Sequence, residues 1–232
     1  MSTIAENVAA ILEDLRSVSR SSGRSDVPRL VGVTKMRSLD EVRSLIAAGV
    51  DHLAENRWES WHERLASLPQ ELSDSLFWHF IGPIQGRALK KYYRPLYCLE
   101  TLDSYSHGET LSRLAVEAGD PQKVLLEVNV CRDPGRTGVL PESLLAEAER
   151  LAALPGLQLE GLMVMGPIPG NPQGPTTSEV FQEAGFLFGE LKRRIPSMET
   201  LSMGMSEDYR EAIRWGSTEV RIGRSLFEGQ GR

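Results

Sequence analysis

Short apolar runs alternate with helical patterns along almost the whole chain of 232 residues. The apolar runs predict eight strands, near residues 29–34, 51–55, 77–81, 96–100, 123–130, 157–164, 199–203 and 218–222. Apolar residues at helical spacing predict helices between them, near 39–49, 57–67, 85–93, 104–118, 141–153, 177–195 and 206–215. Eight strands alternating with helices at this length predict an α/β fold, a (β/α)8 TIM barrel. An open doubly wound sheet is the main alternative.

An additional helix is predicted before the first strand, over residues 4–20, because apolar side chains recur there at helical spacing. Few residues follow the eighth strand, so a long outer helix is not expected after it. The N-terminal helix is therefore expected to fill that place in the ring of helices. No linker or change of composition divides the chain, and we expect one domain over residues 1–232.

The composition narrows the classes of function and of environment. A formal net charge of −6 gives no electrostatic reason to expect binding to nucleic acid or to an anionic membrane. The two cysteines, Cys98 and Cys131, have neither the spacing nor the partner histidines of a zinc site, and they do not form a disulfide framework. The first residues do not resemble a signal peptide, and no apolar stretch reaches membrane-spanning length. We expect a cytoplasmic protein without a metal ion.

One lysine stands at the end of the first predicted strand. The apolar run at residues 30–34 is followed directly by Lys35, and a helical pattern begins shortly after it. An ammonium group beside a buried strand is costly unless it is paired, solvated or used chemically. A partly desolvated lysine can form a Schiff base with an aldehyde. A lysine that simply extends into solvent also fits this position.

Two glycine-containing segments follow the seventh and eighth strands, where barrels of this kind frequently bind phosphate. In the first segment, Gly204 lets the backbone approach a ligand, and Ser206 is a suitable N-cap for the helix predicted to begin there. Exposed amides and the positive end of a helix form an anion site. Arg221 and Gly223 end the eighth strand. A serine cap or a turn glycine explains each segment alone, but the two together favour a phosphate site.

The first strand of a closed barrel neighbours the eighth, so the lysine and the phosphate site are expected to lie close together. Pyridoxal 5'-phosphate (PLP) carries both an aldehyde and a phosphate at a suitable separation. From the residues alone, an isomerase that acts on a sugar phosphate, with Lys35 serving only as a charge, is an alternative.

Six segments, in order along nearly the whole chain, resemble the pyridoxal phosphate homeostasis protein family, which is related to the N-terminal barrel domain of alanine racemase. They are residues 32–35 (GVTK), 55–56 (EN), 78–85 (WHFIGPIQ), 161–163 (GLM), 201–208 (LSMGMSED) and 216–223 (GSTEVRIG). The resemblance implies a single-domain barrel that holds PLP as an internal aldimine. The cofactor-binding residues that it implies are Lys35 as the Schiff-base lysine, Asn56 and His79 in the pocket, Ser202, Met203, Gly204, Ser206 and Gly223 around the phosphate, and Arg221 near the pyridine nitrogen. A histidine within a strand is as often a satisfied core residue, so both roles stay open for His79.

Some positions depart from the pattern of that family. After the second strand, Arg57, Glu59 and Ser60 replace the usual aromatic residue, glutamine and glutamate. Residues 87–88 (RA) replace Asn-Lys, and Arg136 stands where lysine is common. Because arginine does not form a stable aldimine, secondary cofactor contacts through lysines at those sites are in doubt for this chain.

The resemblance leaves a choice between a carrier and an enzyme. A guanidinium donates hydrogen bonds and accepts none, so Arg221 would leave the pyridine nitrogen unprotonated and weaken the ring as an electron sink. Racemisation also needs a second acid–base group on the opposite face of the substrate. The related racemases supply a tyrosine there from an additional β-domain and a partner subunit, and none of the five tyrosines of this chain stands at a clear strand end.

We therefore predict a monomeric, non-catalytic protein of PLP homeostasis, with PLP-dependent apo-enzymes as possible recipients. A PLP-dependent amino-acid racemase or lyase of low activity is the alternative. The proline- and glycine-rich segment at residues 166–175 is either a gate over the pocket or a plain solvent loop. Trp58 and Trp61 share one helical face, which indicates either a docking patch or, more commonly, core packing.

Overall fold

A closed barrel of eight parallel strands, in the order of the sequence, forms the centre of the molecule. The computed structural model describes residues 2–94, 96–168, 170 and 174–228. The ring closes where the first strand pairs with the eighth, with Leu30 opposite Val220. The strands are β1 Arg29–Val33, β2 His52–Glu55, β3 Phe77–Phe80, β4 Cys98–Leu102, β5 Gln122–Val128, β6 Leu157–Val164, β7 Thr200–Met203 and β8 Glu219–Ile222. The (β/α)8 barrel is confirmed, and the open sheet is excluded.

Helices alternate with these strands and cover the outside of the barrel. In the described residues they are α1 Ile4–Ser21, α2 Leu39–Ala47, α3 Trp58–Ser67, α4 Gln70–Ser73, α5 Gly86–Tyr92, α6 Tyr105–Ala118, α7 Leu144–Ala152, α8 Thr177–Arg194, α9 Tyr209–Arg214 and α10 Arg224–Phe227, with a 3-10 helix at Pro141–Ser143. Capping boxes begin α1, α2 and α8, at Thr3, Ser38 and Thr176. In each box a glutamate three residues later exchanges hydrogen bonds with the cap residue, which fixes where the helix starts.

The first helix completes the ring of helices. α1 packs against α2, α9 and α10, and it buries Val8, Ile11 and Leu15 on the face that it turns inward. Because α10 is only four residues long, α1 takes the place of a long outer helix after β8, as the sequence predicted. None of the helices described here combines the length and apolar character needed to cross a membrane.

The predicted boundaries differ from those observed by at most three residues. For example, β4 begins at Cys98 rather than near residue 96, and the helix predicted from residue 206 begins at Tyr209. The short helix α4 was not predicted. Of the proline-rich segment at 166–175, residues 169 and 171–173 lie outside the described residues, so its role as a gate stays a prediction.

The interior of the barrel is partly apolar and partly polar. Val31, Val33 and Ala54 form one apolar cluster, and a second one contains Cys98, Leu125 and Met163. Buried among the same strands are four polar side chains that hydrogen-bond to one another: His79, Glu100, Ser202 and Arg221. This polar set leads from the middle of β3 and β4 to the carboxyl end of β8.

The two tryptophans of α3 belong to the core between the helices and the barrel. Trp58 and Trp61 are both buried, and the Trp58 ring stacks on Phe80 with a centroid separation of 4.1 Å. Aromatic side chains at this depth contribute mainly to packing. The structure therefore favours core packing over a docking patch at these positions.

Candidate functional site

A pocket of about 380 Å³ opens at the carboxyl ends of the strands. β1 contributes Val33 and, just beyond its end, Lys35, while the segments after β7 and β8 contribute Ser206 and Gly223. Arg221, from β8 itself, also lines the pocket. Because β1 pairs directly with β8, the amine and the glycine segment come from neighbouring strands. The lysine and the segment predicted to bind phosphate therefore face one cavity.

Lys35 lies in a tight turn that follows β1. The next residue, Met36, has a φ of +61°, in the left-handed region that residues other than glycine seldom adopt. The Arg64 guanidinium donates to the carbonyl oxygens of Thr34 and Arg37, which flank this turn. Lys35 itself is exposed and forms no ion pair within the described ranges. The backbone of the turn is therefore held in place, while the side chain of Lys35 extends to the pocket.

The segment after β7 forms the side of the pocket that the sequence predicted to bind phosphate. Gly204 has a φ of +98°, and a Cβ placed there would lie 2.7 Å from Ala212 Cβ. This close approach brings the following backbone against the pocket, and only glycine allows it. The Ser206 hydroxyl oxygen accepts the Ser225 amide at 3.4 Å, which ties this segment to the one after β8. No acceptor in the described parts of the chain receives the amides of Ser206 and Gly223.

The helix after this segment does not begin as the sequence predicted. Asp208, not Ser206, occupies the N-cap position of α9, and α9 is only six residues long. The Asp208 carboxylate accepts the Met205 amide at 2.6 Å and so closes the turn before the helix. Burial raises the pKa of this carboxyl above its usual value. Any attraction of this segment for an anion would therefore come from the free amides of the turn more than from the dipole of a long helix.

Three of the residues implied by the resemblance lie deeper than the rim. Ser202 is fully buried, and its hydroxyl donates to Glu100 at 2.8 Å. His79 is 2% exposed, with Nδ1 at 2.7 Å from Glu100 and Nε2 at 2.9 Å from His52 Nδ1. Met203 packs in the core between barrel and helices. Ser202 and His79 thus do not line the pocket themselves. They connect to it through Arg221, which does.

Asn56 stands at the end of β2 and is half-buried. Val33 pairs with Ala54, so Asn56 stands two residues after Ala54 just as Lys35 stands two residues after Val33. Its carbonyl oxygen is 2.0 Å from the position of a Cβ on Gly82, so residue 82 has to be glycine. Asn56 is not among the residues that line the pocket, although it lies at the same end of the barrel.

Glu100 and Glu219 place two carboxyl groups in the barrel interior. Burial alone would raise the pKa of Glu100, but the hydrogen bond from His79 and the charges of His79 and Arg221 outweigh it and lower that pKa. Burial and the charge of Glu100 raise the pKa of Glu219. Ligand atoms of His79, Glu100 and Glu219 lie within 4.8 Å of one another. Arg29 and Arg221 contact these carboxylates at 3.1 and 3.6 Å, so guanidinium groups already supply positive charge where a metal ion would sit.

Comparison with known proteins decides the family. Residues 7–230 match the model of the alanine racemase N-terminal domain family, which is nearly the whole chain. The chain belongs to this family. Within it, the chain is similar to curated proteins named pyridoxal phosphate homeostasis protein, which confirms the resemblance seen in the sequence. One from Pseudomonas aeruginosa is 36% identical over 98% of this chain and 96% of that protein. Another from Deinococcus radiodurans is 35% identical, covering 95% and 99%.

Solved structures of the alanine racemase N-terminal domain family share the same barrel. PipY from Synechococcus elongatus, in its form with PLP bound, superposes with a TM-score of 0.78 at 31% identity and covers 97% of this chain and 100% of its own. An alanine racemase from Clostridium difficile gives a TM-score of 0.69 at 16% identity, and the match covers 56% of that chain. The second comparison shows a shared fold only.

Sequence reasoning missed residues that hold the site in place. Glu55 and Arg64 form an ion pair of 3.4 Å beside the lysine turn, and Glu100 lies behind Arg221. The available signal for Glu100 was a charged residue inside the apolar strand at 98–102, because a buried charge without a partner is costly. Asp208 was quoted within a motif but received no role of its own.

Proposed function

We propose that this protein binds PLP as an internal aldimine on Lys35 and serves PLP homeostasis. The observation that carries this proposal is the shared pocket: the exposed amine after β1 and the free amides of Ser206 and Gly223 line one cavity. Free backbone amides suit a phosphate group, and an accessible primary amine suits an aldehyde. Relatives named for PLP homeostasis, and PipY with PLP bound, support the same ligand.

The residues present fit this cofactor. Arg224 also lines the pocket, where its guanidinium pairs with the Glu207 carboxylate. Arg221 lies between the two sides and is 5% exposed, so its guanidinium can meet the ring nitrogen away from bulk water. When bound, PLP would supply an electrophilic aldehyde and an electron-accepting ring. The chain's own part is to hold the phosphate, present the amine and direct a donor toward the ring.

We further propose that the protein carries PLP, as a monomer that supplies apo-enzymes, rather than catalysing turnover. A racemase requires proton donors on both faces of the substrate. The lining of the pocket contains no tyrosine or histidine among the residues described. Its buried acid, Asp208, already accepts the Met205 amide, which favours a role in shaping the loop over proton transfer.

Reduction with borohydride tests the binding proposal. The purified protein is incubated with PLP, reduced, digested and examined by mass spectrometry. A phosphopyridoxyl group on Lys35 is expected in the wild type and in Lys90→Ala, a change at an exposed lysine of α5. Lys35→Ala should lose the adduct. Absence of an adduct, or equal labelling of other lysines in Lys35→Ala, contradicts the proposal.

Isotope exchange separates the carrier from the enzyme. Alanine or serine is incubated with the PLP-loaded protein in deuterated water, and the α-hydrogen is followed by proton NMR. We expect no exchange above the rate given by free PLP. Exchange that Lys35→Ala abolishes would instead establish a racemase or lyase.

A further inference from the structure

Glu100 is a charged residue in a strand whose five residues are all buried. Its side chain is fully enclosed in the barrel interior. Burying a carboxylate is strongly unfavourable unless hydrogen bonds and opposite charges compensate it. Its partners therefore indicate why the fold tolerates a charge at this depth.

Both carboxylate oxygens of Glu100 have partners. Oε1 lies 2.7 Å from His79 Nδ1, and Oε2 accepts the Ser202 hydroxyl at 2.8 Å. Arg221 Nη1 donates to Ser202 Oγ at 2.6 Å and lies 3.6 Å from Glu100 Oε2. A hydroxyl has one hydrogen, which Ser202 gives to Glu100, so its oxygen is left to accept from Arg221. The direction of both bonds at the Ser202 hydroxyl is thereby set.

The other end of the Arg221 guanidinium is also held, because Nη2 donates to the Val164 carbonyl oxygen at 3.1 Å. Two fixed points determine the plane of a guanidinium group. Arg221 lines the pocket, whereas Glu100 and Ser202 do not. The orientation of the Arg221 guanidinium in the pocket is therefore set by residues that do not line the pocket.

We propose that Glu100 and Ser202 are positioning residues, which aim the Arg221 guanidinium at the ring nitrogen of the cofactor. This inference rests on the proposed function and goes beyond it, since it gives a role to residues that do not touch the ligand. It also assigns Ser202 to the ring side of the site, behind Arg221, instead of to the phosphate.

A pair of ligands tests this positioning. PLP is compared with its 1-deaza analogue, in which a C–H group replaces the ring nitrogen while the aldehyde and phosphate stay the same. Wild-type protein is expected to bind PLP about tenfold more tightly, because one hydrogen bond from a charged donor is lost with the analogue. Equilibrium dissociation constants are measured by fluorescence titration.

Ser202→Ala and Glu100→Gln should remove most of this preference while changing the affinity for the deaza analogue by less than about threefold. The matched control is Ser217→Ala. Ser217 is also fully buried, and its hydroxyl lies 2.8 Å from the carbonyl oxygens of both Met203 and Glu219, with no hydrogen bond to Arg221 among the described residues. This control should keep the tenfold preference for PLP.

Equal weakening of both ligands in Ser202→Ala would show a merely structural role and overturn the inference, as would an unchanged preference. If Glu100→Gln fails to fold, Ser202→Ala still decides, because it keeps both charges and removes only the linking hydroxyl. Failure of wild-type protein to bind either ligand would overturn the proposed function as well. Binding of both ligands with no preference would overturn the positioning role alone.

Discussion

The Arg64 guanidinium lies 3.4 Å from the Glu55 carboxylate and also donates to the carbonyl oxygens on either side of the turn that carries Lys35. The same oxygen of Glu55 accepts the Thr34 hydroxyl at 2.7 Å. Glu55 is 1% exposed and Arg64 is 13% exposed as side chains. Lys35 therefore projects from a turn that a buried ion pair between β2 and α3 holds against the barrel.

Replacing Arg64 by methionine is expected to lower the free energy of unfolding by about 3 kcal/mol, because the Glu55 charge would stay buried without its partner. The same change frees the turn, so borohydride trapping of PLP on Lys35 should slow. Urea denaturation measures the first effect and timed mass spectrometry the second.

Arg16→Met is the control for this change. Arg16 pairs with Glu13 on the surface, with side-chain exposures of 52% and 63%. An exposed pair of this kind contributes between zero and about 1 kcal/mol. Equal effects of the two substitutions would show that the buried pair does not hold the turn.

Gly204→Ala tests the close approach on the phosphate side. A Cβ at this position would lie 2.7 Å from Ala212 Cβ and 2.8 Å from Tyr209 Cα, and the φ of +98° disfavours any side chain. The expected loss of stability is about 1–3 kcal/mol, accompanied by weaker PLP binding as the turn shifts. Thermal unfolding and PLP titration provide the two measurements.

The matched glycine is Gly189, in α8, where an added Cβ meets nothing within 4 Å. Alanine there should raise stability by about 0.5–1 kcal/mol, since it favours the helix. If Gly204→Ala is as stable as the wild type, α9 can move to accept the added Cβ at little cost, and the close approach is not required.

The sequence predicted which residues lie at the carboxyl ends of the strands, but not how deeply the other predicted residues lie in the barrel. Lys35 and Gly223 end strands that were visible as apolar runs, and strand ends meet on one side of a barrel. Ser202 and His79 also lie on predicted strands. The alternation of side chains tells which residues point inward, but how far along the axis each lies depends on strand tilt and register, which emerge only when the ring closes.

The start of α9 shows a second limit. Ser206 and Asp208 are both residue types that cap helices, so the local pattern supported either. The Asp208 carboxylate closes the turn by accepting the Met205 amide, and Ser206 is left to contact the segment after β8 through Ser225. That choice depends on a contact between segments 19 residues apart, which no local pattern contains.

The pH dependence of stability offers a test of the barrel interior at His52. Burial, followed by the positive charges of His79 and Arg29, lowers the pKa of His52 to about 3, although Glu100 opposes this. An unfolded histidine has a pKa of about 6.5. Its folded pKa is depressed, so His52 contributes stability that is fully present above pH 6.5 and is lost as the pH falls toward 3. The urea midpoint of the wild type should therefore decrease as the pH is lowered from 7 to 5, a range above most carboxyl titrations.

The variant His52→Gln removes this titration but also loses the hydrogen bond to His79. It should therefore be less stable than the wild type at pH 7, and its stability should decrease less as the pH is lowered. Because a lost hydrogen bond shifts the curve without changing its slope, parallel curves for the two proteins would show that folding does not lower the pKa of His52.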